Sequence, residues 1–197
     1  MPLTHYALDT FVSQEMSKLT SCAPQSLASE FPERSHWIDQ FVLRRIFQNH
    51  VSDEGVALAY VLVRRVDAAL DEWELACSAA VDVRRPSGYF KMLRHLENCV
   101  AALWQGYEFC RRALGTKLFE KGDGSAYERL NWLYNVGRHF NPDELASGEL
   151  HRLWISNEGL NSREHAVTFV ELREAVRFLA KLVEKFAGSS PKPEASA

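Results

Sequence analysis

Residues 52–114 read SDEGVALAYVLVRRVDAALDEWELACSAAVDVRRPSGYFKMLRHLENCVAALWQGYEFCRRAL and carry two long apolar stripes. In the first half of this stretch, apolar residues recur every seven positions in two parallel rows. The rows are Val56, Val63, Leu70 and Cys77, and Ala59, Val66, Trp73 and Ala80. A repeat held for about four heptads predicts one long helix that buries a single side.

The second half predicts another long helix, with Ser87 as its N-terminal cap and Gly115 as a suitable stop. Its apolar residues alternate in steps of four and three: Tyr89, Leu93, Leu96, Val100, Leu103, Tyr107, Cys110 and Leu114. Pro86 disfavours helix just before it, so the first helix should end near Arg85. Because the RRPSG turn is short, the two helices should lie antiparallel. We expect six residues of this hairpin to be buried: Val63, Leu70, Trp73, Leu96, Val100 and Leu103.

Shorter helical patterns flank the hairpin on both sides. They cover about residues 4–19, 34–50, 126–140 and 169–187, and Thr168 with Glu171 forms a capping box before the last helix. Turn-rich residues at 151–168 allow a short β-hairpin. The predicted fold class is therefore all-α, a five- to six-helix bundle around the hairpin. We expect a single domain over residues 1–187 and a disordered tail over residues 188–197.

The composition is that of an ordinary globular chain. The 197 residues are 46% hydrophobic and 25% charged, with a net charge of −3. Residues 84–140 carry ten basic and five acidic side chains, whereas residues 1–83 carry six and twelve. The basic segment could face an acidic partner, but we favour the interpretation that it faces the acidic first third of its own chain.

Targeting and redox signals point to the cytoplasm. The N-terminal residues lack the pattern of a signal peptide, and the longest apolar run, 56–63, is too short to span a bilayer. The four cysteines form no CxxC pair, and three of them lie in apolar helical patterns, as reduced core residues do. We therefore expect a cytoplasmic protein without a membrane partner.

Familiar cofactor and metal motifs are missing from the sequence. Gly122 and Gly124 lack the third glycine of a dinucleotide fingerprint, so we interpret Ser125 or these glycines as the start of the next helix and not as a phosphate cradle. Glu33 and His36 form a single Glu-x-x-His, whereas a di-iron bundle needs two. His95 is interpreted as a solvated surface residue. We expect no cofactor and no metal.

One cluster of polar residues stands out, in LYNVGRHF at residues 133–140. Asn135 and His139 are four residues apart and share a helical face, and Arg138 follows Tyr134 at the same spacing. An imidazole can move a proton near neutral pH, and a guanidinium can hold a phosphate. His139, Asn135 and Arg138 are therefore candidate catalytic residues for metal-independent RNA cleavage. Alternatively, Asn135 and His139 bond the last helical carbonyls or a neighbouring loop.

Together with these residues, the order of the predicted helices over roughly residues 53–187 resembles that of the HEPN superfamily. It consists of a long antiparallel pair, a helix carrying Asn-x-x-x-His, and a final helix. The family motif is arginine, a polar residue, three variable residues and histidine. Asn135 and His139 match it, whereas Tyr134 occupies the arginine position. The resemblance implies a small helical bundle that is often dimeric. Many members are metal-independent ribonucleases, and others are binding modules without the catalytic residues.

We therefore expect a HEPN-like binding or regulatory module that forms a homodimer and has an RNA or protein partner. A phenol at position 134 carries no positive charge, so we do not expect efficient nuclease activity. Two alternatives stay open. The chain could be a metal-independent ribonuclease that uses His139, Asn135 and Arg138, or a helical protein-interaction domain unrelated to RNA.

Overall fold

The computed structural model describes residues 5–22, 24–47, 53–115, 117–139, 145 and 149–188. The chain is predominantly helical, as the periodicities predict. Its helices are α1 (His5–Phe11), α2 (Trp37–Phe47), α3 (Asp53–Ala79), α4 (Pro86–Leu114), α5 (Ala126–Arg138) and α6 (Phe169–Gly188). Short 3₁₀ turns lie at Met16–Lys18, Arg34–His36 and Ala80–Asp82. The strands are β1 (Trp154–Ile155), β2 (Gly159–Asn161) and β3 (Ala166–Thr168).

Helices α3 and α4 form the predicted hairpin and pack against each other along their lengths. All six hairpin residues that the sequence predicts to be buried are buried. Leu103, in the middle of α4, is 0% exposed. Burial of this kind removes apolar surface from water, which is the dominant favourable contribution to folding.

The turn of the hairpin differs from the prediction in detail. α3 ends at Ala79 rather than near Arg85, and a 3₁₀ turn follows it. Pro86 occupies the first turn of α4, where its missing N–H costs nothing, so the predicted cap Ser87 already lies inside the helix. Gly88 is required here, because a Cβ at this position would lie 2.1 Å from the carbonyl oxygen of Asp82.

The remaining helices pack around the hairpin and cover its sides. α6 contacts α2, α3 and α4, and α5 contacts α4 and β3. The capping box of α6 is confirmed: the Glu171 amide donates to Thr168 Oγ1 at 3.1 Å, and the Thr168 amide donates to the Glu171 carboxylate at 3.0 Å. In the described ranges, no helix combines the length and the apolar character that a membrane span requires.

The N-terminal prediction is wrong in length. α1 ends at Phe11 rather than near residue 19, and Glu15 has a φ of 64°, in the left-handed region. The Asp9 carboxylate accepts hydrogen bonds from the amide and hydroxyl of Ser17. This side chain replaces the backbone partners that a continued helix would have supplied, as short acidic side chains often do. In the 34–50 region, α2 follows the 3₁₀ turn, and residues 48–50 lie outside the described residues.

The segment over residues 151–168 is more regular than a hairpin. β1, β2 and β3 form an antiparallel three-stranded sheet in that order, with Ile155 opposite Leu160 and Leu160 opposite Val167. These three side chains are buried, so one face of the sheet contributes to the hydrophobic core. The chain therefore adds a small sheet to its helices. The predicted tail lies outside the described residues from residue 189 onwards.

Candidate functional site

Helix α5 carries the candidate residues, and its start is defined by a side-chain cap. Ser125 Oγ accepts a hydrogen bond from the Glu128 amide at 3.2 Å, so α5 begins at Ala126, as the sequence predicts. The amides of Gly122 and Gly124 donate to the Glu128 carboxylate. These loop amides are satisfied by a side chain of α5, so they form no cradle for a phosphate.

Asn135, Arg138 and His139 all lie exposed at the C-terminal end of α5. The Asn135 side chain donates to Asn131 Oδ1 at 3.1 Å, one turn earlier in the helix. α5 ends at Arg138 rather than near residue 140, and His139 follows it in an extended conformation. The His139 carbonyl accepts a hydrogen bond from the Arg152 guanidinium at 2.8 Å. The fold leaves the three predicted residues exposed at one end of α5, with no side-chain hydrogen bond among them.

Arg138 extends back along α5 towards position 134. Its guanidinium donates to Tyr134 Oη at 2.7 Å and lies 5.8 Å from the centre of that ring. Tyr134 in turn packs beside the buried Trp104, with ring centres 6.4 Å apart. Within the part of the chain that the structure describes, no carboxylate pairs with Arg138. Its positive charge is therefore available to an anionic ligand.

Other cations of the basic middle segment are engaged with nearby carboxylates. Arg85, Arg111, Lys117 and Arg129 pair with Asp82, Glu108, Glu120 and Glu171, respectively. Only the first of these pairs reaches the acidic first third of the chain, and it does so within a single turn. Helix α4 of the basic segment packs along α3 of that third, but three of these four pairs are formed elsewhere. The four pairs neutralise charge locally, whereas Arg138 has no carboxylate partner among the described residues and lies beside a concave surface.

This concave surface is a cleft of about 390 Å³ between α4 and α5. Its volume lies in the range of about 300–1,000 Å³ that is common for ligand sites. We call it the α4–α5 cleft. Its lining residues are Glu97, Asn98, Val100, Ala101 and Gln105 of α4, Leu133, Tyr134, Gly137 and Arg138 of α5, and Leu153. His139 and Asn135 lie beside this cleft and do not line it.

The α4 side of the cleft is rich in hydrogen-bond acceptors. Burial raises the pKa of the Glu97 carboxyl, because a charged carboxylate loses hydration there. Gln105 Oε1 is buried without a hydrogen-bond partner. The Asn98 amide group donates to Glu72 Oε1 at 3.3 Å, which leaves Asn98 Oδ1 as an acceptor. A buried acceptor without a donor is costly, so this wall favours a ligand that supplies N–H groups.

The prediction that His95 is solvated is wrong. His95 is only 6% exposed, and its Nδ1 lies 2.6 Å from Glu72 Oε2. Glu72 belongs to α3 and His95 to α4, so the pair joins the two helices of the hairpin. Sequence reasoning missed it because the histidine lies beside the apolar stripe and its partner is 23 residues away.

The cysteines offer no activated nucleophile. All four are free, and Cys22 and Cys99 are buried. Burial raises the pKa of the Cys22 and Cys77 thiols to about 12, which disfavours the reactive thiolate. Among the described residues, no group of three or more His, Cys, Asp or Glu side chains could hold a metal ion.

We compared the chain with protein-family models, with curated proteins and with solved structures, and none of them matches it. Function is therefore inferred from the residues of this chain alone. Two features of the described residues have side chains suited to binding or chemistry. They are the exposed group Asn135, Arg138 and His139, and the adjoining α4–α5 cleft.

Proposed function

We propose that this chain is a HEPN-like helical bundle that binds single-stranded RNA at the exposed end of α5 and does not cleave RNA efficiently. One observation carries the proposal: the Arg138 guanidinium is exposed and pairs with no carboxylate among the described residues, and Asn135 and His139 are exposed at the same end of α5. A cation, an amide and an imidazole are thereby presented at one end of the helix.

The order and contacts of the helices support the HEPN-like part of the proposal. The α3–α4 hairpin precedes α5, which carries Asn135 near its end, and α6 packs back on both helices of the hairpin. This is the arrangement that the resemblance implies over residues 53–187.

The chemistry of the exposed residues favours RNA as the partner. A guanidinium can hold a phosphate through two parallel hydrogen bonds. Asn135 can donate and accept, which suits base edges and 2′-hydroxyls in an unpaired strand. Tyr134 adds an aromatic surface next to the cation, and bases stack on such rings in single-stranded complexes.

The same residues argue against efficient cleavage. The motif position that holds arginine in the family holds Tyr134 here, and its hydroxyl is already bonded to Arg138. Stabilising charge in the transition state is usually the largest catalytic contribution, and loss of one donor costs about 10²–10³ in rate. Arg138 approaches the phenol but is not at the motif position.

Binding is tested by equilibrium titration of a mixed pool of short single-stranded RNAs at several salt concentrations. We expect Arg138→Gln to weaken binding and to reduce the slope of log affinity against log salt by about 0.7, the loss of one phosphate contact. Arg84→Gln removes the same charge from an exposed position outside the cleft and serves as the matched control. Equal effects of the two variants, or no RNA binding by the wild type, would overturn the RNA assignment.

Cleavage is tested on the same pool without metal, with wild type, Tyr134→Arg and His139→Ala. We expect little or no cleavage by the wild type and an increase with Tyr134→Arg, because that change restores the arginine beside Asn135 and His139. Robust wild-type cleavage that His139→Ala abolishes would instead support a ribonuclease in which Arg138 supplies the cation.

We also propose a homodimer with α5 near the contact. Trp132 of α5 remains 37% exposed, and its ring packs edge-on against His165 at 5.0 Å. A large exposed aromatic side chain is a common interface anchor. Light scattering at high micromolar concentration should report a dimer that Trp132→Glu weakens. Phe11→Glu, the same kind of change at an exposed aromatic residue of α1, should not weaken it. A monomeric wild type would contradict the proposal.

A further inference from the structure

The α4–α5 cleft contains two opposite charges that do not neutralise each other. Glu97 of α4 and Arg138 of α5 both line it, and the structure forms no ion pair between them. Neither side chain pairs with another charged group in the described part of the chain. Such a cleft suits a ligand that carries a positive charge at one end, to face Glu97, and a negative charge at the other end, to face Arg138.

We propose that the α4–α5 cleft binds a small zwitterion, with a protonated amine against Glu97 and a carboxylate or phosphate against Arg138. An ammonium group has three N–H donors and no acceptor. The α4 wall carries three acceptors along its length: the Glu97 carboxylate, Asn98 Oδ1 and the unpartnered Gln105 Oε1.

The rest of the lining sets the character of the ligand between its charged ends. Val100, Leu133 and Leu153 are buried apolar residues that also line the cleft. Methylene groups fit against such a wall, because burying them there removes apolar surface from water. The ligand class is therefore an ω-amino acid or an aminoalkyl phosphate rather than a compact, fully polar ion.

Burial of Glu97 supports the amine end of this assignment. A carboxylate that has lost hydration gains from a cation placed beside it, and a bound ammonium supplies that cation. Arg138 also belongs to the surface proposed to bind RNA, so the zwitterion and an RNA phosphate would compete for one guanidinium. The zwitterion site itself is independent of RNA and can be measured without it.

The test is calorimetric titration of the full chain with glycine, β-alanine, γ-aminobutyrate, δ-aminovalerate and phosphoethanolamine. The series distinguishes carboxylate from phosphate as the anionic end and finds the spacer that fits. For the tightest probe, we expect the analogue without the amine and the analogue without the anionic group to bind at least about tenfold more weakly, the effect of one lost charged hydrogen bond. Glu97→Gln and Arg138→Gln should each weaken it by a similar factor.

Two alanines of α4 supply the matched control. Ala101→Leu places bulk inside the cleft and should abolish binding, whereas Ala113→Leu adds the same bulk at an exposed position of the same helix and should leave it unchanged. Gln105→Leu should weaken binding about tenfold with little change in volume. Three outcomes would overturn the proposal. They are the same affinity in the two alanine variants, single-charge analogues that bind as tightly as the zwitterion, or no binding of any probe at about 10 mM.

The two proposals fail separately. RNA binding that is lost in Arg138→Gln, together with no binding of any zwitterion, leaves the RNA proposal standing and ends this one. Zwitterion binding without RNA binding has the opposite consequence. If both ligands bind and RNA binding is lost in Arg138→Gln, the tightest probe should displace RNA from the wild type. Failure to compete would then show that Arg138 does not hold the anionic end.

Discussion

The α3–α4 hairpin and the exposed end of α5 differ in what holds their side chains. In the hairpin, residues such as Trp73 and Leu103 are fully buried and are fixed by packing from several sides. At the end of α5, Asn135 and Arg138 are exposed, and each is held by a hydrogen bond to a residue one turn earlier. A periodic apolar pattern in the sequence predicts the buried hairpin. The end of α5 contributes little to the packing of the fold, so its side chains can bind a ligand.

The largest effect should come from a cavity in the hairpin. Leu103→Ala removes a fully buried side chain from α4, and we expect it to lower the free energy of unfolding by about 2–5 kcal/mol. Leu75→Ala changes the same residue type in α3, where the side chain is 44% exposed, and should cost much less. Thermal or denaturant unfolding of both variants measures the difference. A melt unaffected by Leu103→Ala would contradict the burial of the hairpin.

A second, smaller effect should come from the polar pair inside the hairpin. Glu72→Leu should cost about 1–3 kcal/mol, because it leaves the buried His95 ring without its partner at 2.6 Å. His95→Leu should cost a similar amount. In the double variant the two losses should not add, since no buried polar group is left unpaired; Asn98, which also donates to Glu72, is exposed to water. Strictly additive losses would show that the two side chains do not depend on each other.

The elements of the fold that sequence predicts best are those set by local rules. The two long helices, the Ser125 start of α5, the Gly115 end of α4 and the Thr168 capping box follow from apolar spacing and cap chemistry. The early end of α1 depends on Asp9 bonding to Ser17, a choice between side chain and backbone that periodicity does not encode. The third strand likewise depends on tertiary burial of Val167.

The candidate site is predictable only in part. Asn135, Arg138 and His139 are close in sequence, so helical spacing brings them to one end of α5. The cleft beside them is not visible in the sequence, because its acceptors on α4 meet α5 only after the two helices pack. In the sequence, the polar side of the amphipathic helix α4 gives no sign that Glu97, Asn98 and Gln105 differ from its other polar residues. A carboxylate next to an apolar stripe is the single local signal that could have drawn attention to Glu97.

The start of α5 should be more sensitive than its exposed end. Ser125→Ala removes the cap that accepts from the Glu128 amide, and we expect a loss of about 1 kcal/mol in the free energy of unfolding. Ser125→Thr keeps a hydroxyl and should recover most of it. Asn135→Ala changes an exposed residue and should stay within about 0.5 kcal/mol of wild type. A larger loss for Asn135→Ala would mean that this residue is structural.

The smallest effect should be the pH dependence that Glu97 contributes. Because burial raises the pKa of its carboxyl above the ordinary 4.5, the folded chain binds this proton more tightly than the unfolded chain does. The carboxyl therefore costs no stability below its ordinary pKa, and the cost grows as the pH rises through that value towards the raised one. Glu97→Gln should unfold at a higher temperature than wild type at pH 7, and the difference should disappear near pH 4, measured without added ligand. Glu54→Gln, at an exposed position of α3, should show no such gain at either pH. A Glu97→Gln difference that is the same at both pH values would mean that the change acts through packing, and that no destabilising carboxylate is held in the cleft.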